Sequence, residues 1–173
     1  APELPFDWMA IVQSTATTAV AATYASTTYA HSQPNCVRLY NPSDAEAVLI
    51  MVGPPLANTF NVNTLRVKFW ARSSGAGYPL SLGVMTDPTN SATYTEVHSV
   101  PLTTTITEYV LSMATYTGTG THIAFKHGLG GTGRSLYFDD VSFEVIDAND
   151  LACTALTGNT TPMVGSQTTF LAS

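Results

Sequence analysis

Residues 136–145, LYFDDVSFEV, place the strongest constraint on what this chain can fold into. Apolar and polar side chains alternate along most of the segment, which is the pattern of a β-strand with one buried face. Asp139 falls on the parity that holds the larger apolar set, so the alternation predicts a carboxylate directed inward. Because an unpaired carboxylate facing a core is costly, Asp139 is expected to have a partner: a cation, an arginine or several backbone N–H groups.

A second segment, residues 64–72 (TLRVKFWAR), shows the most regular alternation in the chain. One parity holds Leu65, Val67, Phe69 and Ala71, and the other holds Arg66, Lys68, Trp70 and Arg72. The continuous apolar run at residues 46–52 is typical instead of a strand buried on both faces. Short strands of both kinds, with turn signals between them and no convincing helix, predict an all-β sandwich.

The predicted strands and the domain boundary follow from the same patterns. Residues 5–13 are expected to form a first strand or a packed N-terminal arm. Strands are expected over residues 35–41, 46–52, 64–72, 79–86, 94–100, 107–113, 121–127 and 136–145. Residues 14–34 are expected to contain strand and loop, which gives a sandwich of about nine or ten strands within residues 1–146. Residues 147–150 are interpreted as a linker, and residues 151–173 are too poor in apolar side chains to form a domain alone.

The composition argues against several classes of function for this protein. Charged residues make up only 10% of the chain and the net charge is −6, which argues against nucleic-acid binding because that function needs a basic surface. No apolar run approaches the roughly 20 residues of a transmembrane helix, so membrane insertion is not expected. Abundant Thr, Gly and Tyr with few Lys is typical of β-rich extracellular proteins, and it predicts a secreted or cell-surface location. The opening APELPF favours a mature or excised start.

The sequence also lacks the common catalytic motifs. GxSxG, HExxH and P-loop patterns are absent, and the glycine-rich segment 128–133 joins two strands rather than preceding a helix that could bind phosphate. Asp139 and Asp140 are expected to point to opposite faces, so they are not predicted to be a glycosidase pair, although other carboxylate pairs remain open. Two independent thiols, Cys36 and Cys153, are favoured over a disulfide. We therefore predict a protein that is not an enzyme.

The outward parity of residues 64–72 is the strongest candidate for a binding surface. Carbohydrates are recognised by an aromatic ring beneath the pyranose and by polar side chains that bind the hydroxyls. Trp70 supplies the ring, Lys68 and Arg72 flank it, and Lys126 is expected on a strand of the same sheet. Two alternatives remain open: Trp70 packs under a loop or the N-terminal arm, or a site at the tip of the sandwich is lined by tyrosines. The tyrosines near loops are Tyr78, Tyr94 and Tyr116.

Four phrases carry a resemblance to a known superfamily: LRVKFWARSS, LGVMTDPTNSATYTEVHSV, THIAFKHG and LYFDDVSFEV. In order and spacing they resemble the jelly-roll modules of secreted and surface proteins of Bacteroidota. These modules are related to gingipain-type cleaved-adhesin domains, MAM-like domains and carbohydrate-binding modules. The resemblance covers roughly residues 35–146 and implies a jelly-roll β-sandwich of two antiparallel sheets.

The resemblance also implies a structural calcium ion bound by Asp139. Its other ligands in such modules are carboxylates and carbonyls near the N-terminus, where this chain has Glu3 and Asp7 but not the Asp-Phe-Glu of many relatives. The alternative, from the residues themselves, is that Asp139 accepts hydrogen bonds from backbone N–H groups at a bend of the strand.

These observations predict a non-catalytic extracellular recognition module whose partner is a glycan or polysaccharide, within a larger multidomain protein. The alternatives are an adhesin module that binds a host or neighbouring surface protein, and a structural spacer. An open groove with Trp70 exposed would favour glycan, and a flat apolar patch would favour protein. Residues 163–170 resemble the first strand of a following Ig-like domain, and residues 163–171 are expected to pair as an added strand.

Overall fold

The computed structural model describes residues 3–128 and 132–146, together with two short strands at residues 156–157 and 171–172. Ten strands lie in the first two ranges: β1 Met9–Gln13, β2 Val20–Ala25, β3 Asn35–Asn41, β4 Val48–Pro55, β5 Leu65–Ser73, β6 Tyr78–Met85, β7 Tyr94–Leu102, β8 Thr107–Ser112, β9 His122–His127 and β10 Arg134–Val145. The helical segments among the described residues are two single 3-10 turns, Val62–Thr64 and Ser91–Thr93. None of these residues forms a helix that could span a bilayer. The prediction of an all-β chain is confirmed.

The ten strands form two five-stranded antiparallel sheets. The first sheet has the order β1-β4-β9-β6-β7, and the second has the order β2-β3-β10-β5-β8. Most neighbours in each sheet come from distant parts of the chain, as the antiparallel pairs β1–β4 and β3–β10 show. The arrangement is the jelly-roll β-sandwich that the sequence predicted.

The core lies between the two sheets and is centred on Phe125 of β9. Its ring stacks on Phe138 of the opposite sheet, with centroids 4.4 Å apart, and meets the edge of Phe69 at 5.2 Å. Trp8, from the arm that precedes β1, stacks on the same ring at 6.4 Å. The apolar parity of β5 faces this core, and none of its side chains from Leu65 to Ala71 is more than 2% exposed. The inward face predicted for this strand is confirmed.

A β-bulge in β10 changes which of its side chains face the core. The register with β5 shifts between Asp139 and Ser142, and Asp140 has a positive φ of 49°. Four apolar side chains pack on the core: Leu136 and Phe138 before the bulge, Val141 within it and Phe143 after it. The prediction that Asp139 points inward is wrong, because the bulge interrupts the alternation and leaves Asp139 opposite Trp70 on the outer face.

The C-terminal expectations fall mostly outside the described residues. The linker at residues 147–150 and the predicted strand at residues 163–170 lie there, as does Cys153. The described part consists of β11, Leu156–Thr157, and β12, Leu171–Ala172, which pair antiparallel with each other. Among the described residues Cys36 is a free thiol, and burial raises its pKa to about 12.

The core packing predicts a large difference between two phenylalanine substitutions. Phe125→Ala removes a ring that contacts both sheets, and the free energy of unfolding is expected to fall by about 3–5 kcal/mol. Phe6→Ala removes a side chain that is 90% exposed, so its effect is expected to stay within about 0.5 kcal/mol. Urea unfolding of both variants measures the difference, and similar losses would contradict the assignment of Phe125 to the centre of the core.

Candidate functional site

Trp70 lies on the outer face of β5, together with Lys68 and Arg72, as the alternation predicted. The strand is inside the second sheet, so Trp70 is paired with Asp139 on β10 and with Glu108 on β8. Lys68 Nζ lies 3.2 Å from Glu108 Oε1. Three of the four predicted binding residues therefore share one face, which we call the Trp70 face.

Lys126 lies in the other sheet, so the prediction that it shares a sheet with Trp70 is wrong. It belongs to β9, where it is paired with Ile50 on β4 and with Ser81 on β6. Its ammonium group lies 5.2 Å from the centre of the Tyr94 ring. The alternation correctly places Lys126 on an outer face, but it carries no information on which sheet receives β9.

The β2–β3 loop, residues 26–34, folds over the Trp70 face. The His31 imidazole stacks on the Trp70 indole with ring centroids 3.9 Å apart and an interplanar angle of 5°. Tyr29 stacks in the same manner on Tyr137 of β10, with centroids 4.3 Å apart. The structure thus shows Trp70 packed under a loop, which was one of the alternatives that the sequence left open.

Arg72 lies in the same layer under the β2–β3 loop. Its guanidinium carbon is 4.9 Å from the centre of the Tyr29 ring. Its Nε is buried and makes no hydrogen bond within the described residues. A buried donor that lacks an acceptor costs about 1–3 kcal/mol. Arg72 therefore offers a hydrogen-bond donor that the described residues do not use.

The bulge brings the carboxylates of Asp139 and Asp140 to the same residue of the loop. Asp139 Oδ2 accepts a hydrogen bond from Ser32 N at 2.9 Å, and Asp140 Oδ2 accepts one from Ser32 Oγ at 2.6 Å. His31 Nδ1 lies 2.6 Å from the same Asp140 oxygen. The prediction that these carboxylates point to opposite faces is wrong, because the positive φ of Asp140 turns its side chain toward the loop.

The pKa values of the two carboxyl groups are shifted in opposite directions. Burial raises the pKa of Asp139, and the hydrogen bonds from Ser32 N and Asp140 N only partly oppose it. Burial also acts to raise the pKa of Asp140, but hydrogen bonds from Ser32 and His31 and the charge of His31 together hold that pKa below its usual value. The Asp140 contribution to stability is therefore present at neutral pH and is lost as the pH falls through its lowered pKa.

The described contacts of the Asp139 carboxylate are hydrogen bonds from backbone N–H groups. Its Oδ1 accepts from Asp140 N at 2.9 Å, and its Oδ2 accepts from Ser32 N. Calcium takes about six to eight oxygen ligands, and the described ranges contain no group of three or more His, Cys, Asp or Glu side chains suited to a metal. The described residues fit the hydrogen-bonded alternative, and calcium at Asp139 stays a prediction.

A groove of about 470 Å³ opens between the β4–β5 and β8–β9 connections, and we call it the end groove. Six exposed amide and hydroxyl side chains line it: Asn58, Asn61, Asn63, Thr117, Thr119 and Thr121. Phe60 also lines it, and this side chain is 47% exposed. The end groove thus combines an accessible aromatic ring with neutral polar groups.

Hydrogen bonds fix both walls of the end groove. Leu56 N donates to Thr121 O at 2.9 Å and ties the two connections together. The buried Tyr116 hydroxyl accepts from Gly120 N at 2.8 Å, so residues 117–120 wrap around the phenol. A Cβ at Gly118 or Gly120 would lie 2.4 or 2.7 Å from that hydroxyl. A side chain at either position would therefore require the Tyr116 ring or the wall itself to shift.

The chemistry of the end groove suits binding rather than catalysis. Its described lining contains no Asp, Glu, His, Cys, Lys or Arg, so it offers no carboxylate, imidazole, thiol or amine as acid, base or nucleophile. The amides of Asn58, Asn61 and Asn63 make no hydrogen bond within the described part of the chain. Each amide therefore has a donor and an acceptor free for a ligand.

The three tyrosines considered for a tip site have separate structural roles. Tyr116 supports a wall of the end groove through the hydrogen bond that its hydroxyl accepts from Gly120 N. Tyr94 accepts or donates a hydrogen bond to Ser81 Oγ at 2.7 Å on the outer face of the first sheet. Tyr78 lies under Arg134, whose guanidinium carbon is 4.2 Å from the ring centre. The structure does not bring these three rings together.

Sequence reasoning missed the end groove apart from Tyr116. The available signal was an isolated Phe60 among three asparagines, in a segment that joins two strongly predicted strands. A large aromatic side chain in a polar connection is either packed beneath the loop or exposed for a ligand, and the sequence does not distinguish these. The structure shows that the Phe60 side chain is exposed.

A smaller apolar groove of about 280 Å³ adjoins the end groove. The two grooves share Ala57 and Phe60. The remaining lining is apolar: Pro54, Pro55, Leu56, Leu65, Phe143 and Val145. Phe60 therefore stands between a polar and an apolar surface.

Comparison with known proteins identifies the fold. No protein-family model matches the chain, and no curated protein matches it. The K2 cleaved adhesin domain of Lys-gingipain (Kgp) is similar, with a TM-score of 0.63 and 14% identity over 83% of this chain and 92% of that one. The K1 cleaved adhesin domain of Lys-gingipain from Porphyromonas gingivalis W83 has a TM-score of 0.60 and 12% identity over 83% and 93%. A CBM29-2 mutant complexed with mannohexaose has a TM-score of 0.54 and 11% identity over 82% and 83%. The chain has the jelly-roll fold of cleaved adhesin domains and carbohydrate-binding modules.

Proposed function

We propose that this chain is a non-catalytic module that binds a neutral carbohydrate in the end groove, as part of a larger secreted or cell-surface protein. The observation that carries the proposal is the combination of the exposed Phe60 ring with the asparagine amides and exposed threonine hydroxyls in a groove whose described lining has no charged side chain. A pyranose has apolar C–H faces and a rim of hydroxyls, so it matches both parts of this surface.

The dimensions of the end groove agree with this assignment. Its volume of about 470 Å³ falls within the roughly 300–1,000 Å³ of most small-molecule sites. The asparagines bring both donors and acceptors, and a sugar hydroxyl both donates and accepts. A neutral glycan loses no ionic interaction with water on entering such a groove, whereas a charged ligand would find no counter-charge there.

The fold supports the same class of function. CBM29-2, which shares the fold, was obtained in complex with mannohexaose and with cellulohexaose, and cleaved adhesin domains of Lys-gingipain are also among the similar structures. Secretion agrees with the low content of charged residues and the abundance of Thr and Tyr.

A second candidate is an adhesin module that binds protein. The observation in its favour is the adjoining apolar groove, where Phe60 is 47% and Val145 is 50% exposed. Such an apolar surface suits a protein side chain better than a sugar hydroxyl. Substitution of Val145, which lines only the apolar groove, separates this candidate from carbohydrate binding.

The primary test is isothermal titration calorimetry of the purified chain with neutral oligosaccharides, including mannohexaose and cellulohexaose. Phe60→Ala is expected to weaken affinity by about tenfold, the equivalent of about 1.4 kcal/mol for a lost stacking contact. Asn61→Ala is expected to weaken it about three- to tenfold through the loss of a hydrogen bond.

Two variants serve as controls for this test. Val145→Ser is expected to leave oligosaccharide binding unchanged, since Val145 lines only the apolar groove. Trp70→Ala distinguishes the end groove from the Trp70 face that the sequence favoured. Binding that depends on Trp70 and not on Phe60 would move the site to β5, and no binding to any oligosaccharide would reject the proposed function.

The role of Asp139 predicts the response of the fold to EDTA. If its hydrogen bonds to Ser32 N and Asp140 N are its whole role, EDTA is expected to leave the melting temperature of the purified protein unchanged, as measured by differential scanning fluorimetry. A fall in melting temperature that calcium restores and Asp139→Asn abolishes would establish the calcium ion that the resemblance implied.

A further inference from the structure

The contacts of the β2–β3 loop with the Trp70 face have the chemistry of a bound sugar. A flat ring, His31, lies on the indole of Trp70 at 3.9 Å and 5°. The neighbouring Ser32 donates its hydroxyl to Asp140 and its N–H to Asp139. Stacking on an indole, combined with hydroxyl donation to adjacent carboxylates, is how a pyranose would engage the same surface.

The surface beneath the loop has recognition groups that a structural role does not require. Asp139 lies directly opposite Trp70 in the β10–β5 register, so its carboxylate is beside the indole. Arg72, two residues along the same face, has a buried Nε without an acceptor among the described residues. An unpaired buried donor is destabilising, so it calls for an explanation other than packing.

We propose that the β2–β3 loop is an intramolecular cover, and that Trp70, Asp139 and Arg72 beneath it form a second carbohydrate-binding surface that opens when the loop is displaced. The inference rests on the proposed carbohydrate-binding function for the class of its ligand. The site is distinct from the end groove in residues and in chemistry, since it is lined by charged groups. A sugar would replace His31 on Trp70 and Ser32 on the carboxylates, and a ligand oxygen would accept from Arg72 Nε.

The anchors of the cover are few enough for displacement. Its polar contacts with β10 come from His31 and Ser32, and its aromatic contacts come from Tyr29 and His31. Ala30 adds an apolar contact, since it is buried in one cluster with Tyr137. A hydrogen bond to a charged carboxylate contributes about 1.5–3 kcal/mol net. The apparent affinity for a ligand equals the intrinsic affinity multiplied by the fraction of molecules in which the loop is open. The cover therefore lowers the apparent affinity of the Trp70 face without changing its intrinsic affinity.

The first measurement is the accessibility of Trp70. Trp8→Phe leaves Trp70 as the sole tryptophan, and acrylamide quenching of its fluorescence reports whether the indole is covered. In this background the double variant His31→Ala/Ser32→Gly is expected to raise the quenching constant at least about twofold, because it removes the stacked ring and the hydroxyl anchor. Thr28→Ala, an exposed position in the same loop, is the matched control and is expected to leave quenching unchanged.

The second measurement is calorimetric titration of the same proteins with the neutral oligosaccharide panel. Opening the cover is expected to raise affinity about tenfold or to add a second binding event, in line with the larger open fraction. Trp70→Ala is expected to remove the gain, and Phe60→Ala is expected to leave the gain in place. Circular dichroism and the melting temperature show whether each variant is folded. If the double variant does not fold, Asp140→Asn replaces it, because Asn tolerates the positive φ at this position and loses the charge that faces His31.

The outcomes separate this inference from the proposed function. Raised quenching with a Trp70-dependent gain in binding supports the cover and the second surface. Binding that depends on Phe60 and shows no gain in the open variant leaves the proposed function intact and overturns the inference. Unchanged quenching overturns the cover directly, and raised quenching without binding of any sugar by either protein rejects both.

Discussion

The β-bulge in β10 is the constraint on which the rest of the second sheet depends. Asp140 adopts a left-handed backbone conformation there, at a cost of about 1 kcal/mol for a non-glycine residue. In return the strand keeps apolar side chains on the core side both before and after the shift, with Phe138 on one side and Phe143 on the other. Without the extra residue, the alternation would direct either Phe143 outward or Asp139 inward. The bulge therefore reconciles a continuous core with two adjacent carboxylates in one strand.

The same bulge explains why β5 was predictable from sequence and β10 was only partly so. In β5 the alternation runs unbroken from Leu65 to Ser73, so the face of each residue follows from its parity. In β10 the parity reverses between Asp139 and Ser142, and a one-residue shift moves every later side chain to the other face. Local pattern also cannot assign strands to sheets, since strand order arises from long-range pairing. Lys126 was placed on an outer face correctly and in the wrong sheet for this reason.

The two candidate surfaces differ in the way that the sequence encodes them. The Trp70 face belongs to a regular strand, in which the direction of each side chain follows from the two-residue period of the sequence. Three of its residues could therefore be predicted from the sequence. The end groove is formed by two connections whose shape depends on contacts such as Gly120 N to the Tyr116 hydroxyl. No periodicity of the sequence specifies that shape. The loop residues can be recognised as the lining of one groove only when the structure shows the two walls together. Conversely, the regular strand gave no indication that the β2–β3 loop would lie over Trp70.

The distance between the surfaces gives them independent roles. Leu65, which follows the 3-10 turn in the first wall of the end groove, and Trp70 are five residues apart in β5, which corresponds to about 17 Å of extended strand. Contacts so far apart without shared partners contribute almost additively to binding. A single sugar ring in the end groove therefore does not reach His31, which lies over Trp70. A ligand that competes for Trp70 itself would displace His31 from the indole, so the closed loop would control access to that face while the neutral end groove stays open.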